Sequence, residues 1–268
     1  PCLLFNRSDM NNQSPIGLFV SVVGGTPIWH EVHRLLPHEN TVSFADSHNA
    51  PYGDMSQVDI IPLSEQKVEF LLEKLAKIIV VACNTATTNA MKLLRHDYAV
   101  PYIGLEPAIK PAAALTKTGH IGVLATKRTI ISEQYQQATL AYQNVTVHSQ
   151  IGYDLVGLIE SGNINTLEMD ALLRQYLSPM LAQNIDQLVL GCTHYPYLKA
   201  NLERLLPADI AIIDSGVAVA RQTKHILEAH GLLNPSGKLG QNEFYTNGDL
   251  AVLQSFVPDE THVYQQPA

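Results

Sequence analysis

The chain has 268 residues, 46% of them apolar, and a net charge of −8 at neutral pH. That length allows one or two domains with sizeable cores, and the acidic balance excludes the basic footprint of a nucleic-acid binder. Three cysteines, Cys2, Cys83 and Cys192, with no C-x-x-C spacing exclude a disulfide framework and suit a reducing, cytoplasmic setting.

No apolar run reaches the length of a membrane span, so no membrane partner is expected. Pro1 to Gln13 holds only a four-residue apolar patch, Cys2 to Phe5, which is not a signal peptide. Residues 1–14 therefore read as a loose extension. Ile16 to Val20 is the first strand, followed by a turn at Gly24-Gly25. A helix carries Ile28, Val32, Leu35 and Leu36 on one face and stops at Pro37. Thr41 to Ala45 is a strand, and Asp46 to Gln57 is a polar loop with a tight turn at Pro51-Tyr52-Gly53. A helix with Val68, Leu71, Leu72 and Leu75 leads into Ile78-Ile79-Val80-Val81-Ala82-Cys83-Asn84-Thr85, an apolar strand that hands a thiol to a helix start.

Pro101 to Leu105 is a short strand and Glu106-Pro107 a hinge. His120 to Ala125 is a strand, a helix lies near Ser132 to Tyr142, and Val145 to Gln150 is a strand. A helix from about Thr166 to Ala182 precedes Leu188-Val189-Leu190-Gly191-Cys192-Thr193-His194-Tyr195-Pro196, which repeats the strand–cysteine pattern. A helix through Leu205, a strand at Ile210 to Ile213 and a helix from Val217 to about His230, capped by Asp214-Ser215-Gly216, come next. The tail holds a strand at Glu243 to Thr246 and a helix near Asp249 to Ser255.

Strands alternating with helices predict parallel sheets in an α/β fold. The two halves also rhyme. Ile16-Gly17-Leu18-Phe19 and Ile121-Gly122-Val123-Leu124 precede the two cysteines by nearly the same interval. The expected architecture is two similar, pseudo-symmetric parallel-sheet domains with the active site in the cleft between them, at the strand C-termini where such folds bind ligands.

A thiol that follows a strand and opens a helix lies near the helix's positive end, which favours thiolate. Asn84, Thr85 and Thr193 add amide and hydroxyl groups beside backbone N–H groups, a setting for carboxylates. His194, two residues past Cys192, is placed to exchange that cysteine's proton. One such cysteine is commonly a small packing residue. Two in matched contexts point to proton transfer on opposite faces of one carbon α to a carboxylate, that is, to inversion of a stereocentre. Cys83, Cys192 and His194 are zinc-type ligands, but a fourth is not evident and no metal is expected. Gly24-Gly25 lacks the G-x-G-x-x-G frame. The proton transfer needs no cofactor.

At these residues the chain resembles glutamate racemase, the cofactor-independent enzyme of bacterial D-glutamate supply. Val81-Ala82-Cys83-Asn84-Thr85-Ala86 and Gly191-Cys192-Thr193-His194-Tyr195-Pro196 carry the resemblance most specifically. Pro51-Tyr52-Gly53, Glu106-Pro107-Ala108 and Ile213-Asp214-Ser215-Gly216 support it. The resemblance implies Cys83 and Cys192 as catalytic acid/bases, with His194 and Glu160 assisting. It implies Ser21, Tyr52, Gly53, Asn84, Thr85, Thr193 and His194 as the residues that hold a glutamate substrate. It implies a first domain over residues 1–105, rejoined by 214–268, and a second over 106–213. It also implies a cytoplasmic enzyme serving peptidoglycan synthesis, and it allows a homodimer.

One departure stands out. Val20 occupies the position where the family has an Asp that assists the first cysteine, and Val22 stands where a glycine is expected. A valine neither accepts a proton nor pairs with an ammonium, so the resemblance here allows impaired turnover. The cysteine pair does not separate glutamate from another acidic amino acid such as aspartate. The Val20-Ser21-Val22 triplet also leaves open a catalytically weak binder of an acidic ligand or a protein partner.

Overall fold

The structure, a computed structural model, describes residues 10–20, 23–258 and 261–266. In chain order the strands are β1 (Ile16–Val20), β2 (Thr41–Ala45), β3 (Ile78–Val81), β4 (Tyr102–Gly104), β5 (His120–Ala125), β6 (Thr146–Ile151), β7 (Gln187–Gly191), β8 (Ala211–Ile213), β9 (Asn242–Thr246) and β10 (His262–Gln265). The helices are α1 (Thr26–Leu35), α2 (Gln57–Glu73), α3 (Asn84–Asp97), α4 (Ile109–Leu115), α5 (Lys127–Ile131), α6 (Glu133–Leu140), α7 (Leu155–Glu160), α8 (Leu167–Leu181), α9 (Lys199–Leu205), α10 (Gly216–Ala229) and α11 (Leu250–Gln254). The chain divides into two compact units, Pro1–Leu105 with Gly216–Ala268, and Glu106–Ser215.

The first unit is built on a six-stranded sheet in the order β10-β9-β2-β1-β3-β4, and every pairing is parallel. β1 and β3 are apolar throughout because helices cover both faces, and the neighbouring β2 is equally buried but carries Thr41 and Ser43. Successive side chains of β1 go to opposite sides. Ile16, Leu18 and Val20 pack with Trp29 and Val32 of α1 and with Val219 and Leu227 of α10. Phe19 joins Ile79 and Val81 against Val68 and Leu71 of α2 and Ala90 and Leu94 of α3.

The second unit has a four-stranded parallel sheet in the order β6-β5-β7-β8. Leu124, Leu188 and Leu190 face Leu155 and Ile159 of α7 and Met169, Leu173 and Leu177 of α8. Ile121, Val123 and Val189 face Ile109 and Ala112 of α4 and Tyr135 of α6. Two parallel-sheet α/β halves are thus what the alternating pattern predicts. No helix among the described residues is long and apolar enough to cross a membrane.

Four features depart from the sequence reading. α4 and α7 are too short to show a periodic apolar stripe. The edge strand β10 is largely exposed and carries no apolar run. The helix expected near Ser132 is divided in two, because Ser132 ends α5 and caps α6 by accepting the Tyr135 N–H.

Candidate active site

In the first unit, β3 delivers Cys83 to the N-cap of α3, where its sulfur accepts the Ala86 N–H at 3.4 Å. The residue has extended backbone angles, as an N-cap requires. Asn84 and Thr85 follow in the first turn and are buried. Their turn is stitched to the chain after β4. Asn84 Nδ2 donates to the Leu105 carbonyl at 3.5 Å, and Thr87 Oγ1 accepts the Leu105 N–H at 2.9 Å. Tyr52 and Gly53 lie in a 3-10 turn, Tyr52–Asp54, ahead of α2. The Tyr52 ring is 1% exposed and belongs to the same buried cluster as Cys83. Burial, reinforced by Asp46 and by Cys83, holds its phenol far above the ordinary range, so it stays protonated.

Val20 ends β1 in the apolar layer. Its side chain lies over Gly25 so closely that a Cβ there would fall 1.6 Å from Val20 Cγ1, so only glycine fits. Ser21 lies outside the described residues.

In the second unit the surroundings of the cysteine differ from the expected match. Cys192 follows β7, but no α-helix opens on it. Residues 192–194 form a bend and turn, Tyr195–Leu198 is a 3-10 turn with Pro196 in its first positions, and α9 starts only at Lys199. The helix-dipole argument made for both thiols therefore holds at Cys83 alone. At Cys192 a charged partner takes its place. His194 Nδ1 lies 3.6 Å from the Cys192 sulfur, within hydrogen-bond range for sulfur, and His194 Nε2 lies 2.5 Å from Glu160 Oε1. Burial alone would push the His194 imidazole down. The hydrogen bonds to Cys192 and Glu160 outweigh burial and raise it to about 10. At neutral pH the ring is an imidazolium, donating to sulfur on one side and to carboxylate on the other.

Glu160 is aimed by α7, whose last residue it is. The turn that starts α7 is held by Tyr195, whose hydroxyl donates to the Gly152 carbonyl at 3.2 Å. A Cβ at Gly152 would lie 2.5 Å from that hydroxyl oxygen. Thr193 is buried beside Cys192. The structure thus gathers Cys192, Thr193, His194 and Glu160 in one unit, and Tyr52, Gly53, Cys83, Asn84 and Thr85 in the other. Among the described residues no group of three or more His, Cys, Asp or Glu side chains is placed to hold a metal ion.

Sequence reasoning missed one charged group on the Cys83 side, Asp46 with Lys67. A lysine on the buried stripe of α2, with Ile60, Ser64, Val68 and Leu71, was the available signal. A charge there demands a buried partner.

Comparison with known proteins gives a consistent answer. The Asp/Glu/Hydantoin racemase family profile matches residues 28–223. Glutamate racemase of Herpetosiphon aurantiacus is 43% identical over 238 residues, covering 88% of this chain and 94% of that protein. A glutamate racemase isoform of Bacillus anthracis superposes with a TM-score of 0.87 at 30% identity, covering 96% of this chain and 98% of that one. The Francisella tularensis glutamate racemase solved in complex with D-glutamate gives a TM-score of 0.84 at 28% identity, covering 95% and 98%. With the profile spanning most of its length and relatives matching it nearly end to end, the chain belongs to the Asp/Glu/Hydantoin racemase family.

Proposed function

We propose that this racemase interconverts L- and D-glutamate by proton transfer at Cα between two thiols, Cys83 and Cys192, and so supplies D-glutamate for peptidoglycan. One sulfur, as thiolate, removes the α-proton. The other, as thiol, delivers a proton to the opposite face, and the two exchange roles in the reverse direction. Asn84, Thr85 and Thr193, with Ser21, Tyr52 and Gly53, hold the substrate carboxylates and ammonium. No cofactor takes part in this scheme.

The observation that carries the reading is the Cys192–His194–Glu160 relay. His194 Nδ1, 3.6 Å from the sulfur, is within reach to exchange a proton with it, and a carboxylate at 2.5 Å fixes the ring. Relatives named glutamate racemase over nearly the whole chain support glutamate as substrate.

The Cys83 half is weaker by the same logic. Val20 gives the Cys83 side no carboxylate at a position where the family has one. Turnover is therefore below that of a relative carrying the Asp, because loss of a supporting acid or base costs roughly 10²- to 10⁴-fold.

The test is deuterium uptake at Cα in heavy water, run with each enantiomer of glutamate and of aspartate. Exchange with glutamate is the expected result. Exchange with aspartate alone would move the assignment to aspartate, and exchange with neither would leave a binding protein. Cys83→Ser abolishes racemisation without unfolding the chain. Retained activity in that variant would remove Cys83 from the mechanism.

A further inference from the structure

One buried carboxylate of the first unit has no part in the chemistry above. Asp46 directly follows β2, and its backbone N–H donates to the Val20 carbonyl at 3.0 Å. Its side chain is fully buried, at 0% exposure. A carboxylate taken out of water is costly unless it is charge-paired and hydrogen-bonded. Here it is both. Oδ2 accepts the Tyr52 hydroxyl at 2.6 Å. Oδ1 accepts the side-chain amides of Asn49 at 2.9 Å and Asn247 at 2.5 Å. The Lys67 ammonium, 3% exposed, lies 3.6 Å from Oδ1 and 4.9 Å over the Phe44 ring, and donates to Gln66 Oε1 at 2.8 Å. Asn247 in turn accepts the His48 N–H at 2.9 Å. Four segments meet on one carboxylate: the end of β2, the loop before α2, α2 itself and the turn after β9.

The place of this network matters. β2 and β3 flank β1 in parallel register, with Phe19 opposite both Phe44 and Val81. Asp46 and Cys83 therefore stand just past the ends of next-but-one strands, which run about 10 Å apart at one end of the sheet. Tyr52 spans that gap. Its hydroxyl is on Asp46, and its ring packs in the cluster that holds Cys83, Phe19 and Ala86, 6.1 Å from the Phe19 ring centre.

We infer that Asp46 is the positioning residue of the Cys83 half-site, fixing the Tyr52 ring and the Tyr52–Gly53 turn against that cysteine. Asp46 does not touch substrate. It commits the phenolic proton, holds the ring in one rotamer, and ties the turn to α2 through Lys67 and to the β9 end through Asn247. Its effect on turnover rests on the racemase reading. Its effect on the Cys83 environment does not.

Tyr52→Phe, Asp46→Asn and the double variant test the inference, with two readouts. In steady-state kinetics with glutamate, each single variant loses roughly 10- to 100-fold in kcat/KM, mostly through KM, as misplacement of a substrate-holding group does. The double variant is no worse than the poorer single one, because residues acting through one another are non-additive. In the second readout, iodoacetamide alkylation followed by peptide mass spectrometry, the rate at Cys83 changes at least several-fold in both single variants while Cys192 keeps its wild-type rate. Losses that multiply in the double variant overturn the proposal, as does wild-type alkylation of Cys83 in the single variants. Should Asp46→Asn fail to fold, an unchanged KM and unchanged Cys83 labelling in Tyr52→Phe overturn it alone. A wild-type protein without racemase activity sinks the proposed function and leaves the labelling test standing.

Discussion

At Cys192 the sulfur's neighbour is a ring that carries charge at neutral pH, and this has a consequence for stability as well as catalysis. The folded-state pKa of His194, about 10, lies above the ordinary value of 6.5. Its contribution to stability is therefore full below pH 6.5 and is lost as pH climbs toward 10. Glu160→Gln removes one of the two interactions that raise it. The wild-type urea midpoint falls between pH 7 and 9.5, and it falls less in Glu160→Gln. An equal fall in both would reject the pairing as the cause. The same variant loses about 10²-fold in turnover, because the ring is no longer held as a cation. On the other side, Val20→Asp puts a side chain of similar size, with a carboxylate, at the end of β1, the strand next to β3. Turnover rises by up to about 10²-fold if the missing group limits the reaction, and unchanged kinetics reject that account. The cysteines were readable in the sequence because each ends an apolar run. Glu160 was readable only through the family resemblance, since it hangs on a six-residue helix and meets His194 across 34 residues of chain.

Among the elements, α3 shows most directly how secondary structure and chemistry share one atom. The Cys83 sulfur is the helix's N-cap acceptor. Cys83→Ser keeps an acceptor there and Cys83→Ala does not, so the alanine variant is less stable than the serine variant by about 1 kcal/mol. Both are inactive. Equal unfolding midpoints would show that the cap contributes nothing. The matching cysteine of the second unit opens a bend and a 3-10 turn instead. Sequence pattern could not separate these cases. Pro196 and the apolar spacing after it suit a 3-10 turn as well as an α-helical first turn, and what decides is packing of Tyr195 and Leu198 into the core. The strands β1, β3, β5 and β7 were legible for the opposite reason. Buried on both faces, they are apolar along nearly their whole length, with only His120 and Gln187 polar at the starts of β5 and β7.

At the scale of the whole chain, the first unit is discontinuous and has to be closed by contacts far apart in sequence. The buried pair Lys77–Glu39 is one such closure. Lys77 Nζ lies 2.5 Å from Glu39 Oε2 and donates to the Asn12 carbonyl at 2.6 Å. The other Glu39 oxygen accepts the Asn234 N–H at 2.7 Å. The segment before β1, the α1–β2 turn, the start of β3 and the chain after α10 are thereby joined. Lys77→Met leaves Glu39 buried without its counter-charge and costs about 3–5 kcal/mol, read from urea unfolding. A loss below about 1 kcal/mol would show that Glu39 finds water or another donor. Neither residue stood out in sequence, because a lone Lys before a strand and a lone Glu in a turn look like ordinary surface charges.

The parallel run of β10 beside β9 bears on how the protein is best handled. The backbone after β10 leaves alongside Thr246, to which the Gln266 N–H donates at 2.8 Å. Because the sheet is parallel throughout, that exit lies at the same end of the strands as the end of β3, where Cys83 sits. Ser14, ahead of β1, lies at the opposite end of the strands. An affinity tag or fluorescent fusion attached beyond Gln265 therefore emerges at the end of the sheet where Cys83 sits, a reason to keep such additions off that terminus in any assay of the cysteine.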